Sequence, residues 1–203
     1  MRLPKSSARP DVIVVGTSTG GPDALSALAQ SLSVNFPIPI LVSQHMPAAF
    51  TPFVAESLGR NCLLKVAEAV DGQLIEPGHV WLAPGGCHMT VQRQRGDVVL
   101  RVDREIRDNA SIDALFRSVA GVYGARALGI ILTGMGRDGL AGCNAIRESG
   151  GQVWVQDEET SSVWGMPGAV ARAGLADRIL GLPSMGGALT RISEPVRSPN
   201  GRG

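Results

Sequence analysis

Residues 12–21, VIVVGTSTGG, constrain this chain more than any other stretch. Four consecutive β-branched residues, Val12, Ile13, Val14 and Val15, read as a strand buried on both faces. Gly16 ends the run, and Pro22 suits the first position of a helix that continues over 24–30. Ser18 is thereby held between the carboxyl end of a strand and the amino end of a helix. Glycines there allow a sharp bend and close approach of a substrate. The spacing Gly16-x-Ser18-x-Gly20 is that of a nucleophile elbow, in which a tight strand-to-helix turn exposes a serine oxygen. Phosphate-binding loops use the same geometry, so the stretch alone leaves catalysis and nucleotide binding both open.

The rest of the chain alternates in the same way. Residues 38–42 read as a second buried strand that runs out through Ser43, Gln44, His45, Met46 and Pro47 into a helix over 51–58. Residues 63–67 and 80–83 read as further strands, and 87–92 with 98–102 as an antiparallel hairpin attached to the main sheet. Ser111 suits the N-cap of a helix over 112–121. A buried strand over 127–132 then leads into Thr133-Gly134-Met135-Gly136-Arg137-Asp138-Gly139. A helix over 140–147, a strand over 152–156, a short helix opened by Pro167, an edge strand over 178–180 and a helix over 185–192 follow. Strands separated by helices imply right-handed crossovers. The expected fold is α/β: a doubly wound, mostly parallel, Rossmann-like sheet flanked by helices, with an antiparallel β-hairpin at one edge.

A chain of 203 residues suits one domain with a large core, read as residues 11–193 between flexible tails at 1–10 and 194–203. Its 44% hydrophobic and 18% charged residues are those of a soluble globular protein. A net charge of +1 makes no electrostatic case for nucleic acid or an acidic membrane. The 4% aromatic content argues against a base-stacking platform. No apolar run reaches the roughly 18 residues of a membrane span, so direct membrane insertion is not expected. Cys62, Cys87 and Cys143 form no CxxC pair and read as reduced thiols of a cytoplasmic protein.

In a doubly wound sheet, ligands bind beyond the carboxyl ends of the strands. Ser18, His45 and Asp138 all fall there. A serine hydroxyl attacks well only when a base takes its proton. Histidine can take that proton and return it to the leaving group, while a carboxylate on the far ring nitrogen fixes the tautomer. Each residue also has a bland reading: Ser18 as a helix cap, His45 as a satisfied loop histidine, Asp138 as a turn or cap residue. Their shared placement favours the joint reading, although the chain order Ser…His…Asp differs from those of α/β-hydrolases, chymotrypsin-like proteases and subtilisins. A dinucleotide site is the main rival. Gly16, Ser18 and Gly21 occupy the GxGxxG positions, but serine replaces the glycine that lets backbone approach a pyrophosphate. The second strand also ends without the acidic residue that holds a ribose. His45, His79 and His88 lack the spacing of a metal site.

The motifs GTSTGGPDAL at 16–25, SQHMPAAFT at 43–51, LAPGGCHM at 82–89, ILTGMGRDGLAG at 131–142 and GGQVWVQDEETSSVWGMPGAV at 150–170 span nearly the whole core. Together they resemble the catalytic domain of the CheB-type chemotaxis protein-glutamate methylesterases. The resemblance implies Ser18 as nucleophile, His45 as general base and Asp138 as its orienter. It further implies that the Met135 backbone N–H holds the oxyanion, that Thr19 lies beside the reacting group, and that no metal or organic cofactor takes part. The implied substrate is a glutamate γ-methyl ester on the cytoplasmic signalling region of a chemoreceptor, cleaved to glutamate and methanol during chemotactic adaptation. Deamidation of particular receptor glutamines is implied as well. A catalytically silent receptor-docking domain is the alternative, and the intact Ser18, His45 and Asp138 argue against it.

Two departures stand out. The family pattern places a response-regulator receiver domain ahead of the esterase, and nothing before Asp11 supplies one. The expectation is either a fragment of a longer chain or a free-standing esterase under another control. Around Asn109-Ala110-Ser111-Ile112-Asp113 the family commonly has a proline before the serine, which loosens the expectation for that loop. The acidic run at 157–159 reads as a solvated loop, or, at the rim of a cleft, as a preference for basic substrate helices.

Overall fold

The run of β-branched residues forms β1 (Val12–Thr17), all of whose residues are buried. A strand can be apolar at successive positions only when both faces of its sheet are covered. The computed structural model describes residues 8–104 and 111–194. Most of both expected tails, together with Asn109 and Ala110, lies outside the described residues. After β1 come α1 (Gly21–Gln30), β2 (Ile40–Gln44), α2 (Thr51–Asn61), β3 (Lys65–Glu68) and β4 (His79–Leu82). The hairpin strands β5 (His88–Gln94) and β6 (Asp97–Asp103) follow. The second half runs α3 (Ile112–Tyr123), β7 (Ala127–Ile131), α4 (Leu140–Glu148), β8 (Gln152–Gln156), α5 (Met166–Arg172), β9 (Arg178–Leu180) and α6 (Leu182–Ser193).

Seven strands pair in the order β3-β4-β2-β1-β7-β8-β9, all parallel. The chain fills one side of β1 with β2, β3 at the edge and β4 between them, then returns to add β7 on the other. This reversal is the topological switch point at which doubly wound sheets open a crevice. Side-chain alternation assigns the two faces. Val12, Val14 and Leu41 pack with Phe116 and Val119 of α3 and Ile146 of α4. Ile13, Val15 and Val42 pack with Leu25 and Leu28 of α1, Leu58 of α2 and Leu189 of α6. Each such side chain contributes about 1.5–3 kcal/mol of transfer free energy when fully buried.

The expected hairpin forms, and in the main ladder its strands have no partner: β5 and β6 pair with each other as a separate two-stranded sheet. It lies on α3, where the Val91 N–H donates to Ser118 Oγ at 3.0 Å and Met89, Val91 and Leu100 join the α3 core. α3 thus packs between the main sheet and the hairpin through Ile112, Leu115, Phe116, Val119 and Ala120, its buried residues. β2 begins later than the sequence suggests and reaches Gln44, because its ladder with β1 runs from Ile13↔Ile40 to Thr17↔Gln44. Pro39 contributes only its carbonyl, which accepts from the Ile13 N–H at 3.0 Å. The three cysteines are free thiols, and burial pushes the Cys143 thiol well above its ordinary pKa.

Candidate active site

The ladder between β1 and β2 decides where Ser18 and His45 stand. With Thr17 opposite Gln44, the next residue on each strand leaves the carboxyl edge one strand spacing apart, about 5 Å. The His45 N–H still donates to Thr17 O at 3.1 Å, and the Ser18 N–H donates to Thr133 O at 3.0 Å. The ends of β1, β2 and the segment after β7 are thus tied to one another at the rim.

Ser18 does not cap α1. The N-cap is Gly20, at φ +78°, and no side chain caps this helix. Gly20 combines a left-handed backbone with close packing, since a Cβ there would lie 2.5 Å from Ser162 Oγ. Ser18 is partly exposed, and its hydroxyl makes no hydrogen bond to another described residue. Gly134 packs directly against it: a Cβ on Gly134 would come 2.8 Å from Ser18 Cβ. The next residue, Met135, is 75% exposed, and its backbone N–H donates to no acceptor among the described residues. Thr19 is exposed, with its carbonyl held by Thr133 Oγ1 at 2.9 Å.

His45 and Asp138 meet. His45 Nε2 stands 2.8 Å from Asp138 Oδ2, with the two side chains 21% and 26% exposed. Asp138 is also bound to the amino end of α3, where Oδ2 accepts from the Ile112 N–H at 2.9 Å and Oδ1 from the Asp113 N–H at 3.1 Å. Its own neighbour Gly139 donates to Oδ1 at 2.9 Å. Ser111 caps that helix as expected, accepting from the Ala114 N–H at 3.2 Å. Burial alone raises the Asp138 pKa, but the His45 hydrogen bond, the Ile112 and Asp113 N–H groups and the His45 charge outweigh it. The carboxyl is held below its ordinary value. An ionised acceptor on Nε2 requires a proton on that nitrogen and leaves Nδ1 with its lone pair in the neutral ring.

A buried polar layer lies beneath the rim. Thr17 Oγ1 donates to Thr133 O at 2.8 Å, and the Thr133 N–H donates to Gln156 Oε1 at 2.8 Å. Thr133 Oγ1 accepts from the Val163 N–H at 2.9 Å, drawing the loop after β8 over the site. The sequence reading gave Thr17, Gln44, Thr133 and Gln156 no part. A signal was present, because Thr17, Gln44 and Gln156 are each a buried polar residue that ends a strand.

The other histidines stand elsewhere. His79 begins β4 at the opposite edge of the sheet, stacked on Trp81 with ring centroids 5.0 Å apart, and His88 begins β5. In the acidic run, Asp157 Oδ1 is occupied within its own loop by the Thr160 N–H at 3.0 Å and Thr160 Oγ1 at 2.7 Å. An open groove of about 720 Å³ adjoins Asp138, lined by Asp113, Arg137, Leu140, Asn144 and Leu175.

Residues 13–189 match the CheB methylesterase family. A relative from Trichodesmium erythraeum, named protein-glutamate methylesterase/protein-glutamine glutaminase, is 45% identical over 184 residues, covering 89% of this chain and 52% of its own length. A relative of the same name from Maricaulis maris is 46% identical over 191 residues, covering 93% of this chain and 48% of its own. The chain therefore spans about half the length of these relatives. The crystal structure of the Thermotoga maritima CheB methylesterase catalytic domain superposes with a TM-score of 0.86 at 36% identity, covering 91% of this chain and all of that domain. With sequence and fold in agreement across nearly its whole described length, the chain belongs to the CheB methylesterase family.

Proposed function

We propose that residues 11–193 are a serine hydrolase domain that removes methyl groups from glutamate γ-methyl esters of chemoreceptors. The observation that carries this reading is the 2.8 Å contact between His45 Nε2 and Asp138 Oδ2, at the same rim as a Ser18 hydroxyl that bonds to no other described residue. A carboxylate held by backbone N–H groups and fixed to one ring nitrogen is an orienting group for a base. The names of the relatives support the substrate class and the companion activity on glutamine.

In the proposed reaction Ser18 Oγ attacks the ester carbonyl carbon as His45 Nδ1 takes its proton. The Asp138 charge stabilises the imidazolium that forms. Negative charge gathers on the former carbonyl oxygen, and the Met135 N–H supplies a donor for it, worth on the order of 10²–10³ in rate at comparable sites. Thr19 lines the same turn. Collapse breaks the carbon–methoxy bond, His45 returns the proton, and methanol leaves. Water attacks the acyl-Ser18 ester with His45 again as base, which releases glutamate and restores the hydroxyl. A receptor glutamine follows the same course with ammonia as the leaving group. The site of action is cytoplasmic, where the methylated receptor region lies.

Substituting Ser18→Ala and counting methanol released from radiolabelled methylated receptor membranes tests this. The expected loss is on the order of 10³–10⁶-fold. Near-normal release would remove Ser18 from the reaction.

A further inference from the structure

We propose that Gln44 is a positioning residue for the proposed reaction, acting as a side-chain rung that fixes the nucleophile's turn to the base's strand end. This rests on the serine hydrolase reading above. The backbone ladder between β1 and β2 has its last rung where the His45 N–H donates to Thr17 O at 3.1 Å. Beyond it, no backbone hydrogen bond joins Ser18 to His45. Gln44 Nε2 takes over there, donating to Ser18 O at 2.9 Å and to His45 O at 2.9 Å. Both amide hydrogens thus hold the main chain of the two residues whose side chains must exchange a proton. The Ser18 carbonyl also accepts from the Gly21 N–H at 2.8 Å, which ties the same turn to the start of α1.

The other end of this amide argues that stability is not its role. Gln44 is 2% exposed, and its Oε1 is buried without a hydrogen-bond partner among the described residues. An unsatisfied buried oxygen is a cost that an apolar side chain of equal length would avoid. Gly21 leaves room for the same group, for a Cβ there would lie 1.8 Å from Gln44 Oε1, 2.6 Å from Thr17 Oγ1 and 2.8 Å from Gln44 Cδ. Gly21 has no left-handed backbone to explain the glycine, so its missing side chain is room for Gln44 and for Thr17 Oγ1 beside it. Local violations of packing and polarity rules of this kind collect at functional sites.

Gln44→Met keeps length and burial while removing both donors. Its melting temperature is expected to match or exceed that of the wild type. The kinact for labelling of Ser18 by a fluorophosphonate is expected to fall about 10- to 100-fold, as misplacement of about 1 Å costs at reacting groups, with KI unchanged. On methylated receptor membranes kcat should fall by the same factor with KM unchanged. Gly21→Ala, whose Cβ would crowd Gln44 Oε1 most closely and Thr17 Oγ1 next, should slow labelling in the same direction. A folded Gln44→Met with wild-type kinact overturns the proposal. So does a Gln44→Met that melts early enough to account for its lost activity, because Gln44 would then be a stability residue. A wild-type protein left unlabelled at Ser18, under conditions that label a known serine esterase, would instead overturn the hydrolase reading from which this one starts.

Discussion

His45 turns Nε2 toward Asp138, at 2.8 Å, and keeps Nδ1 for whatever stands on its other side. In the serine proteases of the chymotrypsin type the carboxylate holds Nδ1 and the base is Nε2. In the proposed reaction the roles of the two nitrogens are exchanged. The cause lies in the backbone, because β2 delivers His45 at its carboxyl edge while α3 pins Asp138 by two N–H groups. In the proposed reaction, the proton that Asp138 fixes on Nε2 leaves Nδ1 to act as the base.

Asp138→Asn tests that relationship. An asparagine oxygen can still accept from α3, but the side chain no longer compels the Nε2–H tautomer. Turnover is expected to fall on the order of 10⁴-fold, as when the corresponding acid is neutralised in other triads. Methanol release assays would show it, and activity within tenfold of wild type would mean that Asp138 only caps α3.

The same carboxylate makes stability depend on pH. Its folded pKa lies below the ordinary value, so it stabilises the fold at pH above that of an unfolded aspartate, about 3.9. That contribution is lost as pH falls through the lowered folded value. Urea midpoints measured from about pH 6 down to about pH 2 should therefore drop more steeply for the wild type than for Asp138→Asn. Parallel curves would contradict the assigned direction.

Much of this arrangement was legible in the residues. The run at 12–15 announced a strand buried on both faces, and Gly16-x-Ser18-x-Gly20 announced a turn that bares a hydroxyl. Placement at strand ends grouped His45 and Asp138 although 93 positions separate them. What the sequence withheld depends on register and on layers. The end of β2 at Gln44 rather than Val42 follows from its pairing with Thr17, which no local pattern displays. The position of the hairpin over α3 is likewise a matter of tertiary packing. Gln44, at a strand end, and Thr133, just beyond one, look like ordinary turn residues until their partners are known.

Gly134→Ala tests how closely the segment before Met135 is fitted to the nucleophile. The new Cβ would meet Met166 Sδ at 2.4 Å and Ser18 Cβ at 2.8 Å. The thioether can move, but Ser18 is tied through its N–H to Thr133 O. Overpacking of this kind costs about 1–3 kcal/mol of stability, and displacement of reacting groups by about 1 Å costs on the order of 10² in rate. Chemical denaturation and methanol release read the two effects separately. Unchanged turnover in the folded variant would show that the Ser18 turn tolerates movement of its neighbour.

The most direct measurement is methanol release from methylated receptor membranes by the wild type, Ser18→Ala, His45→Ala and the double variant side by side. Groups that act as one unit lose their effect together, so each single change should cost on the order of 10³–10⁶ and the double change no more than the worse single one. Losses that multiply in the double variant, or a Ser18→Ala protein that still releases methanol at nearly the normal rate, would contradict the account.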